Sequence, residues 1–279
     1  MRRAAAVLLA GAVVALLAGP ALAAPTGFSQ TVISGNDQIV SLDLGGSTAG
    51  VTLPNPTGQP ANTSTEDQKF SHSGVDFGIN EQNSGVCELV TINTTTGVAT
   101  TVGSTVITTD CGGSSAPRLA FTPDGRLWLV NNGTLLYQVN PATGVATAAG
   151  TLPVAVNAVV GTCSGNLLAI TQDPNNGSLI SFSPANPSAP TTIGQLGIIT
   201  EDSNFGVVGM DFAADGTLWA LRSQAAVGVA SYTINPGTGA ATQVRADVQA
   251  PNLTQGLAIA PLSCPAAPAT TVITPLFTG

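Results

Sequence analysis

The sequence predicts an all-β fold, a ring of four-stranded antiparallel sheets of the β-propeller type, and three observations carry that expectation. Composition is the first: of 279 residues 43% are hydrophobic but only 8% are charged and 4% aromatic, and lysine occurs once, at Lys69. Helical bundles need Glu, Lys, Arg and Leu for surfaces and seams, whereas the Thr, Val, Gly, Asn and Pro found here suit short strands and tight turns. The second is a repeat of about 45 to 47 residues, a period typical of propeller blades. The third is that each period holds two hairpin signals, one at Asp-Gly and one at Asn-x-x-Thr-Gly, so that one period encodes four strands. Such a sheet cannot bury both faces alone, but a ring of them packs each against its neighbours.

Taken in order, the chain opens on a segment that is not expected to belong to the ring. Arg2 and Arg3 precede an apolar run from Ala4 to Leu17 and an Ala21-Leu22-Ala23 cleavage pattern, which reads as a signal peptide over residues 1–23. The run is shorter than the ~20 residues of a membrane span, and no Cys follows the cut to take a lipid. Removal of Arg2 and Arg3 would take the formal charge from −8 to −10. The remaining basic residues, Lys69, Arg118, Arg126, Arg222 and Arg245, are too few and scattered to neutralise phosphates, so nucleic acid is excluded as a partner.

Residues 24–264 are expected to form the propeller. A strand at Ile39–Leu44 opens it, followed by a poorly patterned stretch from Gly45 to Ser73 and a partial inner-strand phrase at Gly74-Val75-Asp76-Phe77. The outer hairpin Leu89–Gly103 comes next, turning at Asn93 and Gly97. The inner hairpin Leu119–Leu129, with its turn at Asp124-Gly125, recurs 91 residues later as Met210–Ala220, with Asp215-Gly216 and with Trp219 matching Trp128. Between them lies a weaker copy at Val159–Leu168. Outer hairpins follow at Tyr137–Thr147 and Tyr232–Thr242, with a degenerate one from Ile180 to Gly194. The last phrase, Gly256–Ile259, is a lone inner strand. Gly in these turns supplies positive φ, and Pro at Pro141 and Pro236 fixes the first turn position. Five phrases of each kind give five blades, or six if Gly45–Ser73 hides another. The chain begins on an outer phrase and ends on an inner one, so N- and C-terminal strands should close the ring in one composite blade. Residues 265–279 form a Pro- and Thr-rich tail.

These phrases resemble those of secreted bacterial β-propeller repeat proteins of unknown function, whose blades carry Asp-Gly hairpins beside strand, Asn-Pro-x-Thr-Gly, Ala-Thr, Val-Gly hairpins. The resemblance runs from Ile39 to about Pro261 and implies a fold, since propellers host many unrelated activities. A monomer is expected.

Candidate chemistry is sparse. The four cysteines, Cys87, Cys111, Cys163 and Cys264, have no metal-ligand spacing and suit two disulfides in an exported protein. Three pairings exist, of which the local one, Cys87 with Cys111, is favoured and leaves Cys163 with Cys264. Asp76 and Asp211 sit in matching Val-Asp-Phe and Met-Asp-Phe phrases. On innermost strands they would face the channel and, with Glu201 and Asp202, offer carboxylates to Ca²⁺, as in gluconolactonase-like propellers; the alternative is that each caps backbone amides between blades. Asp124 and Asp215 read as turn residues. His72, near Glu66, Asp67 and Lys69, is a loop histidine or a general base. Ser164 lacks the glycine pattern of a nucleophile elbow. Trp128 and Trp219 suit packing between blades or stacking on a sugar. Asn62, Asn93, Asn132, Asn176 and Asn252 head N-x-S/T sequons. The function expected is a non-catalytic binding or interaction module for a protein or glycan. The alternatives are a Ca²⁺-dependent, lactonase-like hydrolase and a structural cell-envelope or matrix protein.

Overall fold

A computed structural model describes residues 24–33, 36–53, 63–82, 85–102, 111, 115–200, 206–224, 228–250, 254–261 and 263–264. Twenty strands build five four-stranded antiparallel sheets, and the described residues contain no helix. Blade 1 joins β20 (Thr254–Ala258) to β1 (Thr26–Ile33), β2 (Asn36–Asp43) and β3 (Val51–Thr52). Blade 2 is β4 (Thr63–Phe70), β5 (Asp76–Gln82), β6 (Val86–Ile92) and β7 (Ala99–Thr101). Blade 3 is β8 (Arg118–Phe121), β9 (Leu127–Asn131), β10 (Leu135–Val139) and β11 (Ala146–Thr151). Blade 4 is β12 (Val156–Gly161), β13 (Leu167–Thr171), β14 (Ser178–Ser183) and β15 (Asn186–Gln195). Blade 5 is β16 (Val207–Phe212), β17 (Leu218–Gln224), β18 (Gly228–Ile234) and β19 (Ala241–Arg245). The molecule is a five-bladed β-propeller.

The innermost strands β4, β8, β12, β16 and β20 touch one another in a closed ring. β20 pairs with β1 (Phe28↔Ala258, Gln30↔Gln255, Thr31↔Thr254), so the expected composite blade is formed, with β1 as a strand the repeat phrases did not mark. The stretch Gly45–Ser73 does not hide a sixth blade; it contains β3 and β4, the innermost strand of blade 2. Gly74–Phe77 is accordingly no inner-strand phrase. It forms the end of the β4–β5 turn and the head of the second strand, with Asp76 paired to Phe70 on one side and Ile92 on the other.

Apolar faces meet between blades. Leu119, Phe121 and Leu129 pack on Phe77, Ile79 and Leu89; Trp128 and Val130 on Val159, Leu167 and Phe182; Ile170 and Leu179 on Met210 and Leu218; Leu42 and Leu44 on Trp219 and Leu221. The cluster between blades 1 and 2 is the smallest, with Ile39, Val90, Ile92 and Ala99 buried. Both disulfides are those favoured from the sequence: Cys87–Cys111, with Cα atoms 5.4 Å apart, and Cys163–Cys264, 5.3 Å apart.

Candidate functional site

Four inner hairpins and the composite β20–β1 pair place polar side chains where the inner strands converge on the ring axis. Hairpin register aligns the blades, since Phe70↔Asp76, Phe121↔Leu127, Gly161↔Leu167 and Phe212↔Leu218 each close the turn. One residue before these pairs stand Lys69, Ala120, Val160 and Asp211. Three residues before them stand Asp67, Arg118, Ala158 and Gly209. Blade 2 therefore matches Asp211 with Lys69, not with Asp76. Charge is confined to two blades at each level, and small residues elsewhere leave room for it.

These side chains bridge blades. The Asp67 carboxylate accepts from Leu119 N of blade 3 at 2.8 Å and from Leu257 N of blade 1 at 3.4 Å, and pairs with Lys69 Nζ at 3.3 Å. Lys69 Nζ also donates to Leu257 O at 2.6 Å and Gln68 O at 3.1 Å. Asp211 accepts from Ile259 N, just beyond β20, at 2.9 Å and from Phe212 N at 2.9 Å. The closing strand is thus gripped from blade 2 and blade 5.

Arg118 uses a different device. The ladders of β4 and β12 each carry an irregularity, between Thr65 and Asp67 and between Val156 and Ala158, leaving Glu66 and Asn157 as extra residues. A bulge leaves its extra residue out of the ladder. The Glu66 and Asn157 carbonyls accept instead from Arg118 Nη1 at 2.5 Å and Nε at 2.6 Å. Burial lowers the Arg118 pKa, opposed by the charges of Asp67 and Glu66. Nearby, partial burial and then the Glu66 charge raise the Glu81 carboxyl above its ordinary value.

Asp76 is 2% exposed, and neither carboxyl oxygen has a hydrogen-bond partner among the described residues. An unpaired buried carboxylate is costly, so the group favours its neutral form. Burial pushes its pKa well above the ordinary value, Lys69 opposes this, and Asp211 and Asp67 add to it. Burial likewise takes Asp211 up to about 7, opposed by Lys69 and by the Ile259 and Phe212 amides.

The remaining sequence candidates fall as follows. Glu201 and Asp202 lie outside the described residues. Asp211 caps backbone amides between blades, whereas Asp76 does not. Asp124 Oδ1 accepts from Thr122 Oγ1 and Asp215 Oδ1 from Thr217 N, both within turns. His72 is exposed in the β4–β5 turn. It borders a surface hollow of about 380 Å³ with Ser71, Val75 and the Phe77–Phe121 ring pair, whose centroids are 5.6 Å apart. Ser164 Oγ lies 2.9 Å from Thr162 Oγ1. Trp128 and Trp219 are buried between blades. Asn93 Oδ1 accepts from the Thr95 and Thr96 amides and Asn176 Oδ1 from Gly197 N, while Asn132 has φ +49° in the β9–β10 turn. Asn62 and Asn252 lie outside the described residues. The sequence reading missed Asp67, Lys69 and Arg118 as axis residues; the signal available was the chain's only lysine inside an otherwise unpatterned polar stretch.

No family model matches the chain, and no curated protein matches it. Solved structures do. A chain of the nidogen/laminin complex superposes with a TM-score of 0.53 at 13% identity, covering 86% of this chain and 99% of that one. TolB from Acinetobacter baumannii gives 0.48 at 10% identity, over 79% of this chain and 53% of that one. The calcium-binding protein regucalcin from Agrobacterium tumefaciens gives 0.44 at 13% identity, over 84% and 78%. At these identities the likeness is one of fold, and the first alone among these three exceeds 0.5.

Proposed function

We propose that this chain is a secreted, non-catalytic binding module that takes a protein or glycan partner on the ends of the ring, its axis being structural. The observation that carries the reading is Lys69, which supplies a cation of its own among the axis carboxylates and spends it on Asp67 and the Leu257 carbonyl. Secretion is supported by the residue pattern of 1–23, by two disulfides, and by the resemblance of the hairpin phrases to exported bacterial propellers. Among the described residues no helix is long and apolar enough to cross a membrane.

The metal-dependent alternative needs Asp76 and Asp211, helped by Glu201 and Asp202. Ca²⁺ takes about six to eight oxygen ligands. Among the described residues no group of three or more His, Cys, Asp or Glu could hold a metal ion, and both Asp211 oxygens already accept main-chain amides. The described residues therefore do not fit the ion.

Thermal unfolding of the chain from Ala24 onward, with excess Ca²⁺ and with chelator, decides between the two, because a ligand at 100 times its dissociation constant stabilises by about 2.7 kcal/mol. Coincident curves, together with saturable binding to a component of an extracellular glycan and protein panel, are the expected result. A Ca²⁺-dependent rise that disappears in Asp76→Ala/Asp211→Ala, in a chain that still folds, would replace the binding reading with the hydrolase. Self-association with no saturable ligand would replace it with the structural role.

A further inference from the structure

The two disulfides differ in accessibility and in what they fasten. Cys87 and Cys111 are 0% and 2% exposed inside the blade 2–3 core. Cys163 is exposed, in the turn of the blade 4 inner hairpin, and Cys264 is half-buried, six residues after the end of β20. The Cys163–Cys264 bond therefore ties the segment leaving the closing strand to a different blade. With the bond intact, β20 cannot move farther from its slot than the ~20 Å that six extended residues span. Without it, no covalent link joins the closing strand to blade 4.

Other features mark β20 as the separable element. Like the other innermost strands it pairs on one side only, but its partner β1 lies at the opposite end of the chain, so no hairpin turn joins the two, and their ladder is irregular between Phe28 and Gln30. The adjoining blade 1–2 interface has the smallest buried apolar cluster among the described residues. Toward blade 5, Leu257 and the adjoining Ile259 pack with Val208, Trp219 and Leu221, but toward blade 2 the contacts that hold β20 are polar, from Asp67 and Lys69 to Leu257, with the Asp211 contact to Ile259 and Ser29 Oγ of β1 donating to Gln255 O and Gly256 O beside them.

We propose that the Cys163–Cys264 disulfide is a thiol-operated catch on ring closure, opened by a dithiol reductant and leaving the rest of the ring folded. A thiolate of the dithiol attacks the exposed Cys163 Sγ, forming a mixed disulfide as the Cys163–Cys264 bond breaks, and Cys264 leaves as a thiolate that takes up a proton. The second thiol of the reductant, as its thiolate, then displaces Cys163, which leaves as a thiolate and is protonated in turn, so the dithiol becomes a cyclic disulfide and two electrons pass to the protein. Thiolate attack depends on access to sulfur, which selects this bond over the buried one. Release of β20 exposes the inner edge of β1 and uncovers Lys69. The inference does not depend on the binding reading above.

Lys69 is the only lysine in the chain and is 3% exposed, so acylation at this position reports opening. The experiment treats the native protein with dithiothreitol, traps thiols by alkylation, and follows Lys69 acylation and amide exchange by peptide mass. The expected result is alkylation of Cys163 and Cys264 ahead of Cys87 and Cys111, with Lys69 acylation and exchange at Leu257 and Ile259 rising at least tenfold while Leu129 and Ile170 stay protected. Cys163→Ser/Cys264→Ser should show the open pattern without reductant. Equal reduction of both bonds, resistance of both, or selective reduction with Lys69 and Leu257 unchanged would each overturn the proposal. Should the double variant fail to fold, the reduction experiment on the native chain decides alone.

Discussion

Trp128 and Trp219 occupy the same repeat position but differ in one bond. Trp128 Nε1 donates to Thr122 Oγ1 at 3.0 Å, whereas Trp219 Nε1 is buried without a partner among the described residues, Ala213 standing where blade 3 has Thr122. A buried donor left unpaired costs about 1–3 kcal/mol. Ala213→Thr is expected to stabilise the protein by about 1 kcal/mol, a rise in Tm of roughly 2–4 °C for a chain of this size, and Thr122→Val to lower it by at least as much; calorimetry of the two variants checks both.

The buried carboxyls set the dependence on pH. Asp76 is held well above, and Asp211 at about 7 against, an ordinary value of 3.8. The fold thus binds these protons more tightly than the unfolded chain does. Their stabilising effect is complete below the ordinary value and is lost as pH rises toward the folded one, by about 7 for Asp211. Tm should accordingly be several degrees higher at pH 5 than at pH 8, and Asp76→Asn and Asp211→Asn should each flatten the slope. Asp43 works in the opposite sense below pH 4: burial alone would raise it, but the Thr48 and Gly46 amides bring it below its ordinary value. Equal slopes in wild type and both variants would count against this account.

At the scale of elements, β4 shows why part of the fold was not legible. Its sequence, Thr-Ser-Thr-Glu-Asp-Gln-Lys-Phe, has neither apolar alternation nor a hydrophobic run, yet Thr65 to Lys69 are all buried. Charged groups enter a core at tolerable cost when they find partners, and those of Asp67 and Lys69 are supplied by β8 and β20, distant in sequence, although the buried Gln68 amide has none among the described residues. Nothing local could show that, so Val-Asp-Phe at Asp76 took the place of the inner strand in the repeat alignment. Lys69→Met should cost about 3–5 kcal/mol, because it leaves the Asp67 charge buried with its ion-pair partner removed; urea unfolding measures the loss. The other inner strands read well from sequence because they carry apolar residues, whereas β4 has the Ser73-Gly74 turn but no apolar run before it. Close approach between blades adds a constraint visible only in three dimensions: a Cβ on Gly161 would lie 1.8 Å from the Phe121 carbonyl oxygen. Gly161→Ala should therefore prise blades 3 and 4 apart and destabilise by about 3 kcal/mol or more.

Across the whole molecule, the disulfides enclose spans of 24 and 101 residues. Loop-closure entropy assigns them about 3.5 and 4.7 kcal/mol respectively. Removing Cys163–Cys264 should thus lower stability more than removing Cys87–Cys111, as denaturant unfolding of Cys163→Ser/Cys264→Ser and Cys87→Ser/Cys111→Ser will show. The smaller apolar cluster between blades 1 and 2 fits the same arrangement, since on that side the closing strand is held by ionic and main-chain links to blade 2, while its apolar packing is against blade 5.

The sequence by itself determined the blade architecture and the composite closure, because these follow from local turn chemistry repeated at a fixed period; it favoured five blades over six and Cys87 with Cys111, and the structure decided both. Only the tertiary structure decided which residues meet at the axis. Lys69, Asp67, Arg118 and Asp211 come from three blades and take main-chain partners from as far as 190 residues away, while Asp76 is buried near them without a hydrogen bond among the described residues. Turn conformation is written in a few adjacent residues, whereas the fate of a buried charge depends on what the closed ring brings within hydrogen-bonding distance of it.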